Sequence, residues 1–189
     1  MHLGKTGHFR KSGIPVPVNL YIDDLQQLSA QINYFKPKSI IYVGDLFHSI
    51  ANLEHEAFIK WRKNFQFIEM HLVKGNHDIL KTVDYAQMNL IVHEQSFSIN
   101  EFCFIHDIID KEADESKYIF SGHIHPGIQM KGSGKQFLKF SCFYFNEGFG
   151  ILPAFGKFTG LAIVEPKPGD AIFAIVNQKV IKVHGNHSL

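Results

Sequence analysis

The stretch of the chain that most clearly decides the fold is SIIYVGD, at residues 39–45. Its apolar, β-branched run has the pattern of a buried strand that ends at Gly44. Asp45 follows at the carboxyl end of this predicted strand, which is where α/β proteins gather their ligands.

The residues around this strand predict a β-α-β order. Before it, apolar residues recur at helical spacing over residues 23–35, behind Asp23 as a cap and ahead of Pro37, which ends the helix. After it, a second helix is predicted at residues 53–65 and a second strand at residues 67–73. This alternation indicates a mostly parallel sheet in the first half of the chain.

The second half is richer in short strands. Asn100-Glu101 and Asn177-Gln178 have the composition of hairpin turns. We expect two β-sheets face to face with helices outside, and one domain over residues 1–189. The predicted strands cover residues 97–99, 102–105, 118–121, 137–143, 160–164, 171–176 and 179–183.

Composition excludes several classes of protein. Hydrophobic residues make up 45% of the 189 residues and charged residues 20%, which is typical of a globular protein and not of a disordered one. No apolar run approaches the roughly 20 residues of a membrane helix. Cys103 and Cys142 are expected to be half-buried thiols in a reducing cytosol, so a cytoplasmic protein without membrane contact is predicted.

Net charge and histidine content bear on two separate questions, the binding of nucleic acid and the binding of metal. Lys and Arg number 19 against 18 Asp and Glu, which argues against a broad basic surface for duplex DNA but not against a local basic groove. The 12 histidines are a high share and suggest metal chemistry.

Residues of metal-ligand type follow several predicted strands. His123 and His125 are two apart, so an extended backbone would project both rings to one side. The glycines beside these residues allow tight turns and a close approach of the backbone to an ion. The segments are His2, Gly44-Asp45, Gly75-Asn76-His77-Asp78, His106-Asp107 and Gly122-His123-Ile124-His125.

This mixture of imidazole, carboxylate and amide oxygen suits Mn, Zn or Fe. Two such ions, with Asp45 as a bridging carboxylate, would clamp a phosphoryl group and activate a water molecule for in-line attack. His77 lies next to Asn76 and would reach the phosphate without being a ligand, to stabilise the developing charge or protonate the leaving oxygen.

In order and spacing, these segments resemble the signature of the calcineurin-like metallophosphoesterases. The resemblance implies a four-layer α/β/β/α sandwich of two mixed sheets with a dinuclear metal centre. It places His2, Asp45 and His125 on one metal. It places Asp45, Asn76, His106 and His123 on the other, with His77 as the catalytic histidine.

A narrower resemblance covers nearly the whole chain. Residues 2–5, 9–10, 13–17, 44–49 and 152–160 are similar to the ligase-associated DNA damage response endonuclease branch of that superfamily. The resemblance implies a Mn-dependent phosphodiesterase that acts on single-stranded DNA in DNA repair, with a functional association with a DNA ligase, a helicase and an exonuclease. His48-Ser49 stands where the general family has an acidic residue and Arg, which leaves the function of His48 open.

The start of the chain departs from the family. The family motif begins Asp-x-His, whereas this chain begins Met1-His2, so the aspartate and the first strand of the fold are expected upstream of residue 1. Either the chain is truncated, which we favour because the other ligands are present, or the protein lacks one ligand. In both cases the chain as given would bind one metal more weakly.

Two basic features have competing interpretations. Lys5 and Arg10, together with Asn76, are expected to bind the substrate, although the two cations also suit a solvated surface turn. The lysines at positions 131, 135 and 139, with Phe137 and Phe140 between them, suit a single-strand groove. We favour an exposed hairpin whose phenylalanines pack inward.

Three functions follow from these residues. The first is a metal-dependent phosphodiesterase on nucleic acid, which the resemblance alone narrows to an endonuclease. The alternative is a small-molecule or nucleotide phosphodiesterase with the same centre. A non-catalytic interaction module on the same fold is the third, and the presence of His77 argues against it.

Overall fold

A computed structural model describes residues 1–4, 20–48, 53–109, 114, 116–132, 134, 136–156 and 159–185 of the chain. The chain divides into two compact units. Unit 1 consists of Met1–Phe97 and Phe155–Phe158, and unit 2 of Ser98–Ala154 and Thr159–Leu189. The prediction of an α/β protein with two sheets and helices is confirmed. A single domain over the whole chain stays a prediction.

Unit 1 has a parallel sheet whose described strands lie in the order β1-β2-β3. Ser39 of β1 pairs with Glu69 of β2, and His71 of β2 pairs with Ile91 of β3. The described elements are α1 (Leu20–Phe35), β1 (Ser39–Val43), α2 (Leu53–Arg62) with a 3-10 turn at Lys63–Phe65, β2 (Glu69–Val73), α3 (Thr82–Gln87) and β3 (Ile91–His93).

The first helix forms where the periodicity predicts one, but it begins earlier. Leu25, Leu28 and Ile32 lie on its buried face, at helical spacing. Asp23 lies inside the first turn instead of capping it, so the predicted start was three residues too late. The helix ends at Phe35, before Pro37, which disfavours helical backbone at the residue that precedes it.

Aromatic rings fill the core of unit 1. Phe58 of α2 has no exposed surface. Its ring lies 5.4 Å from the ring of Phe47, 5.4 Å from Trp61 and 6.4 Å from Tyr42, measured between centroids. Edge-on and tilted rings at these distances attract one another beyond the area that they bury.

A second group in unit 1 joins two histidines and a phenylalanine. His71 Nδ1 lies 3.0 Å from His93 Nε2, and Phe97 stacks on both rings at 4.4 and 4.3 Å. His71 Nε2 lies 3.5 Å from a carboxylate oxygen of Glu69. Burial, and then the neighbouring His71, lower the pKa of His93.

Unit 2 is built on a mixed sheet. Its strands follow the order β10-β7-β8-β9-β6-β5-β4, and β11 pairs with both β8 and β12. The chain passes from unit 1 into unit 2 within β4. The strands are β4 (Ser96–Ile99), β5 (Phe102–Ile105), β6 (Tyr118–Ser121), β7 (Pro126–Lys131), β8 (Phe137–Phe145), β9 (Phe149–Ile151), β10 (Ala162–Ile163), β11 (Ala171–Val176) and β12 (Lys179–His184).

Local backbone explains the hairpins of unit 2. Asn177 and Gln178 both have positive φ, of 49° and 63°, as a two-residue turn with primed geometry requires between the antiparallel strands β11 and β12. Asn100 has a φ of 51° between β4 and β5. Both predicted turns are confirmed.

The two cysteines are more buried than the composition suggested. Cys103 in β5 and Cys142 in β8 have no exposed surface, and both are free thiols. Burial raises the pKa of Cys142 to about 11. The expected half-buried thiols are therefore core residues. Among the described helices, none is long and apolar enough to cross a membrane.

Phe58→Ala should lower the free energy of unfolding by about 3–5 kcal/mol, because it leaves a cavity among three rings. Phe67→Ala is the matched control: that ring is 79% exposed, and its loss should change the free energy by less than about 0.5 kcal/mol. Urea unfolding measures both. Equal effects of the two substitutions would contradict this account of the core.

The lowered pKa of His93 predicts a pH dependence of stability. Below about pH 6.5, His93 binds more protons in the unfolded chain than in the folded protein. The stability that comes from its neutral form is therefore present above that pH and is lost as the pH falls toward the lower pKa of the folded protein. His93→Gln should therefore show a shallower fall in the free energy of unfolding between about pH 7 and pH 5 than the unchanged protein. An identical slope for the two proteins would contradict the prediction.

Candidate functional site

Asp45 has a left-handed backbone conformation at the carboxyl end of β1. Gly44 and Asp45 both have positive φ, of 74° and 50°, which turns the chain sharply after Val43. Asp45 is only 4% exposed. One carboxylate oxygen, Oδ1, accepts a hydrogen bond of 3.0 Å from the backbone N–H of His77. The carboxylate is thereby fixed in orientation.

His2 lies beside this carboxylate because the start of the chain runs parallel to the segment after β1. Leu3 forms an isolated parallel bridge with Phe47, and the N–H of His2 donates to the carbonyl of Asp45 at 2.8 Å. The His2 ring is buried, with Nε2 3.4 Å from Asp45 Oδ2. Two predicted ligands of one metal are therefore neighbours within unit 1.

Asp78 holds together the two loops that carry these residues. Its Oδ1 accepts from the N–H of Phe47 and its Oδ2 from the N–H of Gly75, both at 2.9 Å. Burial raises the pKa of Asp78, while these two hydrogen bonds act in the opposite direction. Asp78 thus fastens the loop after β1 to the loop after β2. The sequence alone left open whether Asp78 was a turn residue or an acceptor that orients a ligand.

His77 presents an exposed ring, and Asn76 beside it is also exposed. The ring of His48 lies 4.0 Å from that of His77, and the ring of His2 lies 6.4 Å away. His48, whose function the sequence left open, therefore contacts the predicted catalytic histidine, His77. The signal available beforehand was its position three residues after Asp45.

Unit 2 brings two other predicted ligands together. Its strands β5 and β6 are parallel neighbours with Ile105 opposite Ser121, so the residues that follow them meet at one edge of the sheet. His106 Nε2 lies 3.0 Å from His123 Nδ1. His106 is buried, whereas the His123 side chain is 38% exposed.

The Gly122-His123-Ile124-His125 segment is a tight bend, not an extended strand. His123 and His125 have φ of 51° and 52°, and the N–H of Ile124 donates to the carbonyl of Gly122 at 2.7 Å. The expectation of extended backbone at His123 and His125 is therefore wrong. The reason is that both residues have left-handed backbone, which a strand does not contain.

The His106–His123 pair suits a metal ion. A separation of 3.0 Å between the two ring nitrogens lets both bind one ion at roughly 2.0–2.1 Å. Asp107 Oδ2 lies 3.6 Å from His123 Nε2. A carboxylate on that side favours the proton on Nε2 and leaves the Nδ1 lone pair for an ion.

Several of the predicted ligands share a left-handed backbone conformation. Among the described residues, nine other than glycine have positive φ. Four of the nine are predicted ligands: His2, Asp45, His123 and His125. Strained backbone of this kind persists where the surrounding structure enforces it, and it is frequent at functional sites.

The predicted site residues thus fall into groups. Unit 1 holds His2, Asp45 and His77 close together, with Asn76 adjacent in the chain. Unit 2 holds His106 and His123 close together, and His125 lies directly before β7. The predicted substrate-binding residues Lys5 and Arg10 lie outside the described residues.

The chain shares its fold with a nuclease of known structure. That neighbour is the crystal structure of nuclease MPE from Pseudomonas putida, with a TM-score of 0.78, 22% sequence identity, and coverage of 97% of this chain and 84% of that one. At this identity the likeness establishes the fold. No family model matches the chain, and no curated protein matches it.

Asp78→Ala should lower the free energy of unfolding by about 3 kcal/mol, because it leaves two backbone N–H groups without their acceptor. Glu56→Ala, at an exposed carboxylate on α2, is the control and should be nearly neutral. Urea unfolding gives the free energies, and amide exchange of Phe47 and Gly75 reports the loops directly. Unchanged protection of both amides would show that Asp78 does not hold them.

Proposed function

We propose that the protein is a metal-dependent phosphodiesterase that cuts single-stranded DNA. The observation that carries the proposal is a buried carboxylate, Asp45, fixed against His2 and the backbone of His77, at the position where the sequence motif requires a metal-bridging ligand. The His106–His123 pair and the likeness in fold to a nuclease support it further.

The donor set fits divalent ions of borderline character, and manganese is the ion that we propose, ahead of zinc and iron. His2, Asp45 and His125 would hold one ion. Asp45, Asn76, His106 and His123 would hold the other. Bound there, two divalent ions would supply the charge that polarises a phosphoryl oxygen and lowers the pKa of a water molecule.

His77 would act on the leaving group. Its ring is exposed, and its backbone is tied to Asp45 by the 3.0 Å hydrogen bond, so the ring is presented from a fixed loop. A protonated imidazole would donate a proton to the departing alkoxide oxygen as the bond from phosphorus to that oxygen breaks. Asn76 and, by sequence, Lys5 and Arg10 would bind the phosphate.

The sequence resemblance also supports a wider role in DNA repair, in functional association with a DNA ligase, a helicase and an exonuclease. Cytoplasmic location stays a prediction from composition and cysteine use.

His77→Ala should reduce Mn-dependent cleavage of a single-stranded oligonucleotide by about 10²–10⁴-fold. The loss should be much smaller for a bis(4-nitrophenyl) phosphate substrate, because nitrophenolate leaves without being protonated. Asp45→Asn should abolish turnover of both substrates. Initial rates with added Mn, and again after chelation, measure these effects.

His184→Ala, at a histidine of β12 that has no place in the proposed site, is the matched control and should keep normal rates. Near-normal cleavage of the oligonucleotide by both His77→Ala and Asp45→Asn would overturn the mechanism. Rapid hydrolysis of cyclic nucleotides or dinucleotides without hydrolysis of DNA would favour a small-molecule phosphodiesterase.

A further inference from the structure

The hairpin of β7 and β8 carries positive charge without acidic neighbours along the chain. From Pro126 to Phe145 the sequence contains three lysines and neither Asp nor Glu. Two of these lysines, Lys131 and Lys139, are described and are exposed. In a chain whose net charge is only +1, this hairpin is a local basic element.

The register of the hairpin places a phenylalanine beside both lysines. Lys131 pairs with Phe137, and Gln129 pairs with Lys139. Side chains alternate between the faces of a strand, so these four side chains share one face. We call Gln129, Lys131, Phe137 and Lys139 the lysine–phenylalanine face.

This face is open to solvent. All four of its residues are exposed, and Phe137 is 60% exposed. The favoured expectation that the phenylalanines of this hairpin pack inward is therefore wrong for Phe137, whereas Phe140, on the other face, is half-buried. An exposed aromatic ring flanked by cations and free of nearby acids along the hairpin is the composition of surfaces that bind single-stranded nucleic acid.

We propose that the lysine–phenylalanine face binds single-stranded nucleic acid, with a base stacked on Phe137 and phosphates paired with Lys131 and Lys139. This inference rests on the proposed function, because the strand bound here would be the strand that is cut. Stacking on an aromatic ring does not require a particular base, so the face would add affinity without adding sequence specificity.

The hairpin also sets the length of strand that can use this face. Its first strand starts directly after His125, and Lys131 lies six residues further on. At about 3.3 Å per residue, the Lys131–Phe137 end of the face is roughly 20 Å along β7 from the proposed ligand. A dinucleotide or a small chromogenic diester held by that ligand would not reach Phe137.

The first test is direct binding of a fluorescent oligothymidine of 20 nucleotides, measured by fluorescence anisotropy with Mn present. All proteins carry His77→Ala, so that the strand is not cut. Phe137→Ala should weaken binding by about tenfold, and Phe137→Trp should restore it. Lys139→Gln should also weaken binding, and it should reduce the slope of log affinity against log salt by about 0.7.

Leu138→Ala is the matched control. Leu138 is 51% exposed on the same strand, but its side chain lies on the opposite face, so this substitution should leave the affinity unchanged. Affinity that is equal in the Phe137→Ala and Leu138→Ala proteins would overturn the proposal. So would Phe137-dependent self-association in gel filtration without any binding of the oligonucleotide, which would identify a second copy of the chain as the partner.

A second measurement separates this proposal from the proposed function. In the protein with His77 intact, Phe137→Ala should raise the KM for the oligonucleotide and leave turnover of the small chromogenic diester unchanged. If the unchanged protein hydrolyses neither substrate but its affinity still depends on Phe137, the proposed function fails and the binding face stands. If hydrolysis is normal and affinity does not depend on Phe137, the face alone is wrong.

Discussion

The buried carboxylate of Asp78 is the constraint on which the rest of the site in unit 1 depends. One of its oxygens accepts from the loop after β1, and the other accepts from the loop after β2. Asp45 lies on the first of these loops and His77 on the second, and they are themselves joined by a hydrogen bond. The proposed chemistry at this edge would therefore depend on a residue that need not touch metal or substrate.

The strands were predictable where apolar, β-branched or aromatic residues run without interruption. Sequence and structure agree on the bounds of β1, β5, β6 and β11. The sequence did not reveal β7, because Pro126 and Gly127 open it and both are poor strand formers. The short strands β3 and β9 hold three residues each, too few for a period to be recognised.

The sequence singled out some residues that the structure brings close together, but it did not predict their geometry. Order and spacing identified His106 and His123, and the parallel pairing of β5 with β6 explains why they meet. The bend at His123 and His125 was not predictable, since propensity says little about a left-handed residue that tertiary structure enforces. Likewise, the contact between His48 and His77 follows from the conformation of two loops.

The left-handed backbone at Asp45, His123 and His125 is sterically unfavourable for the side chains that we propose as ligands. Glycine adopts this conformation without steric cost, whereas a side chain there is strained by about 1 kcal/mol or more. A glycine at any of these positions would relax the chain while removing a proposed ligand. A glycine would also lose side-chain contacts, such as the hydrogen bond that Asp45 accepts from the backbone of His77. The backbone strain at these positions is therefore a cost that only the contacts and the proposed ligand role of the side chains offset.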